Sequence, residues 1–297
     1  MTANKLTGMG VALITPFKSD DTVDFDALGN LIDYQLKNGT DYLVVLGTTA
    51  ETPTLSDEEK NEILRFVVKR VQGRVPLVLG AGGNDTKAVV EQIKNIDPRT
   101  VDALLCVTPY YNKPSQEGLY QHYRAIAQVS KLPIVLYNVP GRTGVNMTAE
   151  TTLRLACEFS NIVGIKEASG NMSQMDEIIT NKPDGFVVIS GDDGVTYPLI
   201  TLGAVGVISV IGNAFPREFS RMVRLALEGD YKSARNIHTQ FNRLFDLLFV
   251  DGNPAGVKSM LSMMGFIENK LRLPLVPTSF TTFEKIKNVL DKLEVKC

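Results

Sequence analysis

Six side chains in this sequence have the types needed for chemistry on a carbonyl group: Lys166, Tyr137, Tyr111, Thr48, Thr49 and Arg142. Lys166 lies in Asn161-Ile-Val-Gly-Ile-Lys-Glu-Ala-Ser-Gly170, at the end of an apolar run and just before a small-residue turn. An unperturbed lysine has a pKa of about 10.4, so about one amine in 2,500 is free at pH 7 and freeing it costs roughly 4.6 kcal/mol. Desolvation in an apolar site removes part of such a cost, and a free amine adds to a ketone to give a Schiff base. A phenol such as Tyr137 can carry protons to and from the carbinolamine, and Thr48 and Tyr111 can extend that relay. Backbone N–H groups around Thr48 and Thr49 can hold a carboxylate. Arg142, two residues after Pro140, can clamp a second carboxylate through its two-pronged guanidinium. Each residue also has a plainer reading. Lys166 can be a rim lysine paired with an acid, and the threonines can be turn residues. Tyr110 and Tyr111 can be rim packing, Tyr137 core, and Arg142 half of a surface ion pair.

Such a set works only if strands bring it together. Short, unbroken apolar runs recur at Val11–Ile14, Tyr42–Leu46, Pro76–Leu79, Ala103–Val107, Pro133–Tyr137, Ile162–Ile165, Phe186–Ile189 and Val205–Val210. Unbroken rather than alternating runs suit parallel strands buried on both faces. Amphipathic stretches lie between them, at Asp26–Leu36, Ser56–Val68, Ser115–Gln128 and Thr148–Phe159. Ser56 and Glu59 have the spacing of a capping box. The pattern predicts an α/β fold, a (β/α)8 TIM barrel over residues 1–229. A doubly wound open sheet is the runner-up, but it carries a glycine-rich dinucleotide fingerprint after an early strand. The nearest segment, Gly80-Ala-Gly-Gly-Asn84, has the wrong spacing and reads as a turn. Beyond residue 229 the strand pattern stops. Asp230–Phe249, Ala255–Met264 and Thr278–Leu293 read as helices of a C-terminal extension over residues 230–297.

A barrel carries its active site where its strands end, and the chemistry collects there. The second strand runs into Gly47-Thr-Thr-Ala-Glu51 and the fourth into Thr108-Pro-Tyr-Tyr-Asn112. The fifth runs into Tyr137-Asn-Val-Pro-Gly-Arg-Thr-Gly144, the sixth into Lys166 and the seventh into Ser190-Gly-Asp-Asp193. Glu167 should face away from Lys166, since successive strand residues alternate. Asp192 and Asp193 read as capping or turn residues rather than metal ligands.

Bulk composition narrows the alternatives. The chain has 297 residues, 44% hydrophobic, with a net charge of −2, which disfavours nucleic-acid and anionic-membrane partners. No long apolar span or secretory h-region is visible, so a cytoplasmic location is expected. The only histidines, His122 and His238, lie in helix-like stretches; both read as structural, which disfavours Ser-His-Asp catalysis and zinc sites. The three cysteines, Cys106, Cys157 and Cys297, are far apart, and the first two read as buried thiols.

Taken in order from about Gly8 to Pro277, several of these segments resemble the dihydrodipicolinate synthase family, pyruvate-dependent class I aldolases related to N-acetylneuraminate lyase. They are Gly47–Glu51, Val107–Gly118, Leu136–Gly144, Gly164–Gly170 and Ser190–Asp193. The lysine and tyrosine segments mark the superfamily; the Arg142 segment is more specific, because sugar-acid lyases generally lack it. The resemblance implies condensation of pyruvate with L-aspartate 4-semialdehyde to (4S)-4-hydroxy-tetrahydrodipicolinate, on the path to diaminopimelate and lysine. It implies an imine on Lys166 and no separate cofactor or metal. Tyr137, Thr48 and Tyr111 would form the proton relay, with Tyr111 reaching a neighbouring subunit's site. Thr49 would hold the pyruvate carboxylate and Arg142 the semialdehyde, while Gly191 and Ile208 would place backbone carbonyls near the lysine. A homo-oligomer is implied, a dimer at least and commonly a tetramer. Two positions depart from the family pattern. Ala50 stands where glycine is usual, so a turn needing positive φ would be strained there. Around the feedback pocket of lysine-sensitive members, Asn84 and Tyr110 match, but Thr52, Pro53, Asp57, Lys60 and Ala88 do not. A cation at position 60 repels a lysine ligand, and Ala88 offers its ammonium no partner. Weak or absent inhibition by lysine is therefore expected; half-inhibition at sub-millimolar lysine in a steady-state assay would contradict this.

Overall fold

In the computed structural model, which describes residues 3–293, every predicted apolar run contributes to a strand, though the first strand starts earlier than predicted and leaves Leu13 and Ile14 beyond its end. They are β1 (Gly8–Ala12), β2 (Tyr42–Val45), β3 (Leu77–Gly82), β4 (Ala103–Val107), β5 (Ile134–Asn138), β6 (Ile162–Glu167), β7 (Val187–Ser190) and β8 (Gly206–Ser209). Each pairs in parallel with the one before it, and β8 pairs with β1. Closure leaves no unpaired sheet edge. The fold is therefore the (β/α)8 barrel, and the open-sheet alternative falls away.

Strand residues alternate between two apolar clusters. Val44, Leu105, Val135, Tyr137, Ile189 and Ile208 belong to one. Their neighbours Leu43, Leu104, Leu136, Val188 and Val207 belong to the other, shared with the surrounding helices. This is the two-residue period of a strand expressed on a closed sheet: one set fills the barrel, the other receives the helices. Lys166 follows Ile165 of the outer set and sits opposite Tyr137 of the inner set in the β5–β6 register. The register thus turns the lysine inward and Glu167 outward.

The predicted helices appear at Phe25–Lys37, Asp57–Val71, Gln116–Val129 and Ala149–Glu158. The capping box is formed: Ser56 accepts from the backbone of Glu59, whose carboxylate accepts from the backbone of Ser56. Four further helices, Thr86–Lys94, Met172–Asn181, Asp193–Leu202 and Pro216–Leu227, complete the ring. Then come Tyr231–Leu247, Ala255–Met263 and Phe280–Leu290. Phe241, Phe245, Met260 and Ile286 share one continuous apolar cluster with the ring helices. Among the described residues no helix is long and apolar enough to cross a membrane.

Three expectations need correction. Gly80-Ala-Gly is the end of β3 rather than a turn. A side chain at position 80 would put its Cβ 2.1 Å from the carbonyl oxygen of Leu46, so glycine there admits the backbone that leads to Thr48. Cys157 is exposed, because Leu155 and Ala156 take the inner face of its helix. Cys106 is buried, as expected, and burial pushes its thiol up to about 12; Cys297 lies outside the described residues. Ala50 is not strained: the positive φ angles fall on Leu46, at 56°, and Glu51, at 55°, on either side of it.

Candidate active site

Lys166, Tyr137, Thr48, Thr49, Arg142 and Gly191 line one cavity of about 350 Å³ at the strand ends. Val44, Leu105, Val139 and Val210 supply apolar wall. Lys166 is buried, and its Nζ stands 4.3 Å from the centre of the Tyr137 ring. The amine thus lies against an aromatic face, with aliphatic side chains lining the rest of the cavity wall.

The turn after β2 forms the next wall. Thr48–Ala50 is a single 3₁₀ turn, closed by the backbone N–H of Glu51 on the carbonyl of Thr48. Thr49 is buried and its hydroxyl accepts a 3.0 Å hydrogen bond from Asn253 Nδ2. The Thr15 hydroxyl donates to the carbonyl of Ala50 at 2.8 Å. The turn is thus tied at consecutive residues from beneath, a geometry suited to presenting fixed donors to an anion.

Arg142 sits on the short helical turn Pro140–Thr143 directly after β5. It is exposed and makes no ion pair with the described residues. The surface ion-pair reading is therefore not realised; the guanidinium borders the cavity with its donors open. Tyr110 is exposed, and Tyr111 more so, at 88%, with a φ of 71°. The Tyr111 backbone N–H donates to the carbonyl of Thr143 at 3.3 Å, which seats its loop on the Arg142 turn. Its side chain does not line the cavity of its own chain. Ile208 does not line it either; it is buried within β8, and Val210 provides that wall.

Gly191 meets the lysine closely. A Cβ there would stand 3.1 Å from Lys166 Cε and 2.7 Å from Ala168 Cβ. Gly191→Ala is expected to displace the amine and lower kcat/KM about 10²-fold, and to lower stability by about 1–3 kcal/mol. Parallel steady-state kinetics and thermal melts check both, and unchanged kinetics would show that the lysine has room to spare.

The other polar residues fall as the strand period requires. Glu167 faces away from the cavity, where its carboxylate accepts from Asn138 Nδ2, Gln174 Nε2 and the backbone of Ser169. Burial raises its pKa, and those hydrogen bonds oppose the rise. Asp192 caps its helix through the backbone of Gly194. Asp193 is buried and accepts from the backbone of Val210 and Ile211 at 3.0 and 2.8 Å, bracing the end of β8; burial pushes it up to about 6. His122 is bonded to Thr86 Oγ1, and burial lowers it to about 4. His238 packs against Tyr197 and Phe245. Neither histidine lines the cavity. At the feedback-pocket positions, Asn84 Nδ2 donates to the carbonyl of Tyr110, while Lys60 is engaged by Asp57 at 3.0 Å.

Phe249 and Asn253 also line the cavity, and both come from the segment after the barrel. The sequence reading missed them because no local period marks a residue that reaches a site from a distant segment. The Asn253-Pro254 break between two helices was the available signal.

Residues 5–293 match the Dihydrodipicolinate synthetase family. The chain is 73% identical over 292 residues to the 4-hydroxy-tetrahydrodipicolinate synthase of Parabacteroides distasonis, covering 98% of each. It is 70% identical over 297 residues to that of Phocaeicola vulgatus, covering 100% of each. The crystal structure of dihydrodipicolinate synthase from Aquifex aeolicus superposes with a TM-score of 0.93 at 45% identity, covering 98% of this chain and 100% of that one. Agreement of this depth along nearly the whole length, on a barrel whose strand ends hold an amine, a phenol and a free guanidinium in one cavity, makes this chain a member of the dihydrodipicolinate synthetase family.

Proposed function

We propose that the condensation of pyruvate with L-aspartate 4-semialdehyde, which this chain catalyses as a member of its family, runs through an imine on Lys166. The lysine amine adds to the keto carbon of pyruvate and water leaves. Loss of a methyl proton gives an enamine, whose carbon attacks the aldehyde of the second substrate. The amino group of that substrate then adds to the imine carbon, closing the ring and releasing the lysine. No metal or organic cofactor enters these steps. Tyr137 carries the protons at the imine, Thr48 and Tyr111 extend its relay, and Thr49 with the surrounding backbone holds the pyruvate carboxylate. Gly191 leaves the lysine room, and Ile208 contributes through its backbone.

The observation that carries this reading is the pairing of Lys166 with Tyr137 across β5 and β6, the buried amine 4.3 Å from the ring centre in the cavity at the strand ends. The left-handed backbone and exposed side chain of Tyr111 support a dimer in which that ring enters the partner's site, since a left-handed tyrosine persists only where its surroundings require it. Dimers commonly pair again into tetramers, which we take as the working assembly. A cytoplasmic site of action fits relatives that make an amino-acid precursor.

A coupled assay with pyruvate and aspartate semialdehyde, run beside a sialic acid cleavage assay, tests the reading. Turnover in the first and none in the second is expected. The reverse would assign the chain to the sugar-acid lyases, and activity in neither, with no borohydride-trapped pyruvate adduct, would leave a keto-acid sensor.

A further inference from the structure

We propose that the buried ion pair between Glu51 and Lys258 is a positioning device, through which the helix Ala255–Met263 sets the conformation of the Thr48–Thr49 turn and with it the affinity for the 2-oxo acid. The proposal rests on reading that turn as the holder of the pyruvate carboxylate.

Both side chains have no exposed surface, and Lys258 Nζ lies 2.5 Å from Glu51 Oε1. The ammonium also donates to the carbonyl of Lys270 at 2.9 Å and stands 4.2 Å from the centre of the Phe17 ring. Arg272 stacks its guanidinium on the same ring at 4.4 Å. Its backbone N–H gives the second carboxylate oxygen of Glu51 a 3.0 Å hydrogen bond. The carboxylate is therefore fixed at both oxygens by groups from the chain beyond the barrel. Glu51 itself is left-handed, with φ at 55°, and its backbone N–H closes the turn on Thr48.

A buried pair of this kind is a poor source of stability, because desolvation offsets most of the attraction and an apolar pair of similar volume does as well. Burial pushes Lys258 down to about 8, with the attraction of Glu51 opposing it, so the ammonium depends on its partner. What the pair supplies and an apolar pair would not is direction. A carboxylate held by an ion pair at one oxygen and by a backbone N–H at the other has one orientation, and that orientation holds a left-handed residue two positions from Thr49. The bond from Asn253 to Thr49 ties the same turn from the same segment.

The test uses the intact chain. Glu51→Asp keeps the charge and shortens its reach by one methylene. The double change Glu51→Gln with Lys258→Met removes both charges together. For both variants the KM for pyruvate is expected to rise roughly tenfold to a hundredfold, with the KM for aspartate semialdehyde and the melting temperature moving little. The concentration of pyruvate needed for half-maximal borohydride trapping at Lys166 should rise in parallel. Pyruvate affinity within twofold of the unmodified protein in a folded Glu51→Asp variant would overturn the proposal. So would a double variant that keeps both its melting temperature and its pyruvate KM. Absence of any adduct in the unmodified protein would instead overturn the reading of the site on which the proposal stands.

Discussion

Lys166→Ala is expected to lower kcat by roughly 10⁴- to 10⁶-fold, the scale of loss when a covalent nucleophile is removed. The size follows from the role proposed for the side chain. Without an amine, pyruvate has no imine and hence no enamine; its methyl group would have to be deprotonated against an unactivated ketone. Tyr137, Thr48 and the turn proposed to hold the carboxylate would remain, so substrate can still be held, and the residual rate reflects that holding alone. The fold should tolerate the change. The amine lies against the Tyr137 ring and makes no ion pair with the described residues, so truncation leaves no buried charge without a partner. Two measurements check this: steady-state turnover, and mass analysis after borohydride reduction with pyruvate, which should tag the unmodified protein and leave the variant untouched. A variant with turnover within tenfold of the original, or one still tagged at the same level, would show that the imine forms elsewhere.

The lysine could be found from sequence because burying a cation at the end of an apolar strand is costly and needs a reason. The barrel was equally legible, since each run from Val11 to Val210 is short, apolar and unbroken, and period alone then fixes which side chains face in. The same logic, applied further along, would have flagged Lys258. It stands between Val257 and Ser259 in a helix whose residues from Ala255 to Leu261 are all buried, an all-round apolar helix with one cation. Its partner was not legible. Glu51 lies some two hundred positions earlier, and nothing local relates the two. Asn253 and Phe249 escaped for the same reason, and the site therefore depends on the segment beyond residue 229 more than its helical pattern implied. The strain expected at Ala50 was misplaced because the family's usual glycine suggests a left-handed residue. Here the left-handed angles belong to Leu46, whose carbonyl lies close against Gly80, and to Glu51, whose carboxylate sits in the buried ion pair.

Arg142→Ala is expected to lower kcat/KM for aspartate semialdehyde by about 10²- to 10³-fold, the loss typical when one partner of a close charged pair is truncated. The guanidinium is exposed at the cavity edge and has no carboxylate partner among the described residues, so its donors are open to a ligand. Its place is set by β5: the strand that aligns Tyr137 with Lys166 runs straight into the Pro140–Thr143 turn. On the proposed reading the first substrate binds deeper, at the lysine and the Thr48–Thr49 turn, so the variant should trap pyruvate on Lys166 as readily as before. That split separates a residue orienting the second substrate from one that merely maintains the site. Arg142→Lys should recover only part of the loss, because an ammonium restores the charge but not the planar two-pronged donor. If the alanine variant condensed the two substrates within threefold of the original, the arginine would be a surface residue and the second carboxylate would have to be held by another donor. If it also failed to trap pyruvate, the damage would lie in the turn that Thr143 shares with the Tyr111 loop, and the specificity assigned to Arg142 would have to be withdrawn.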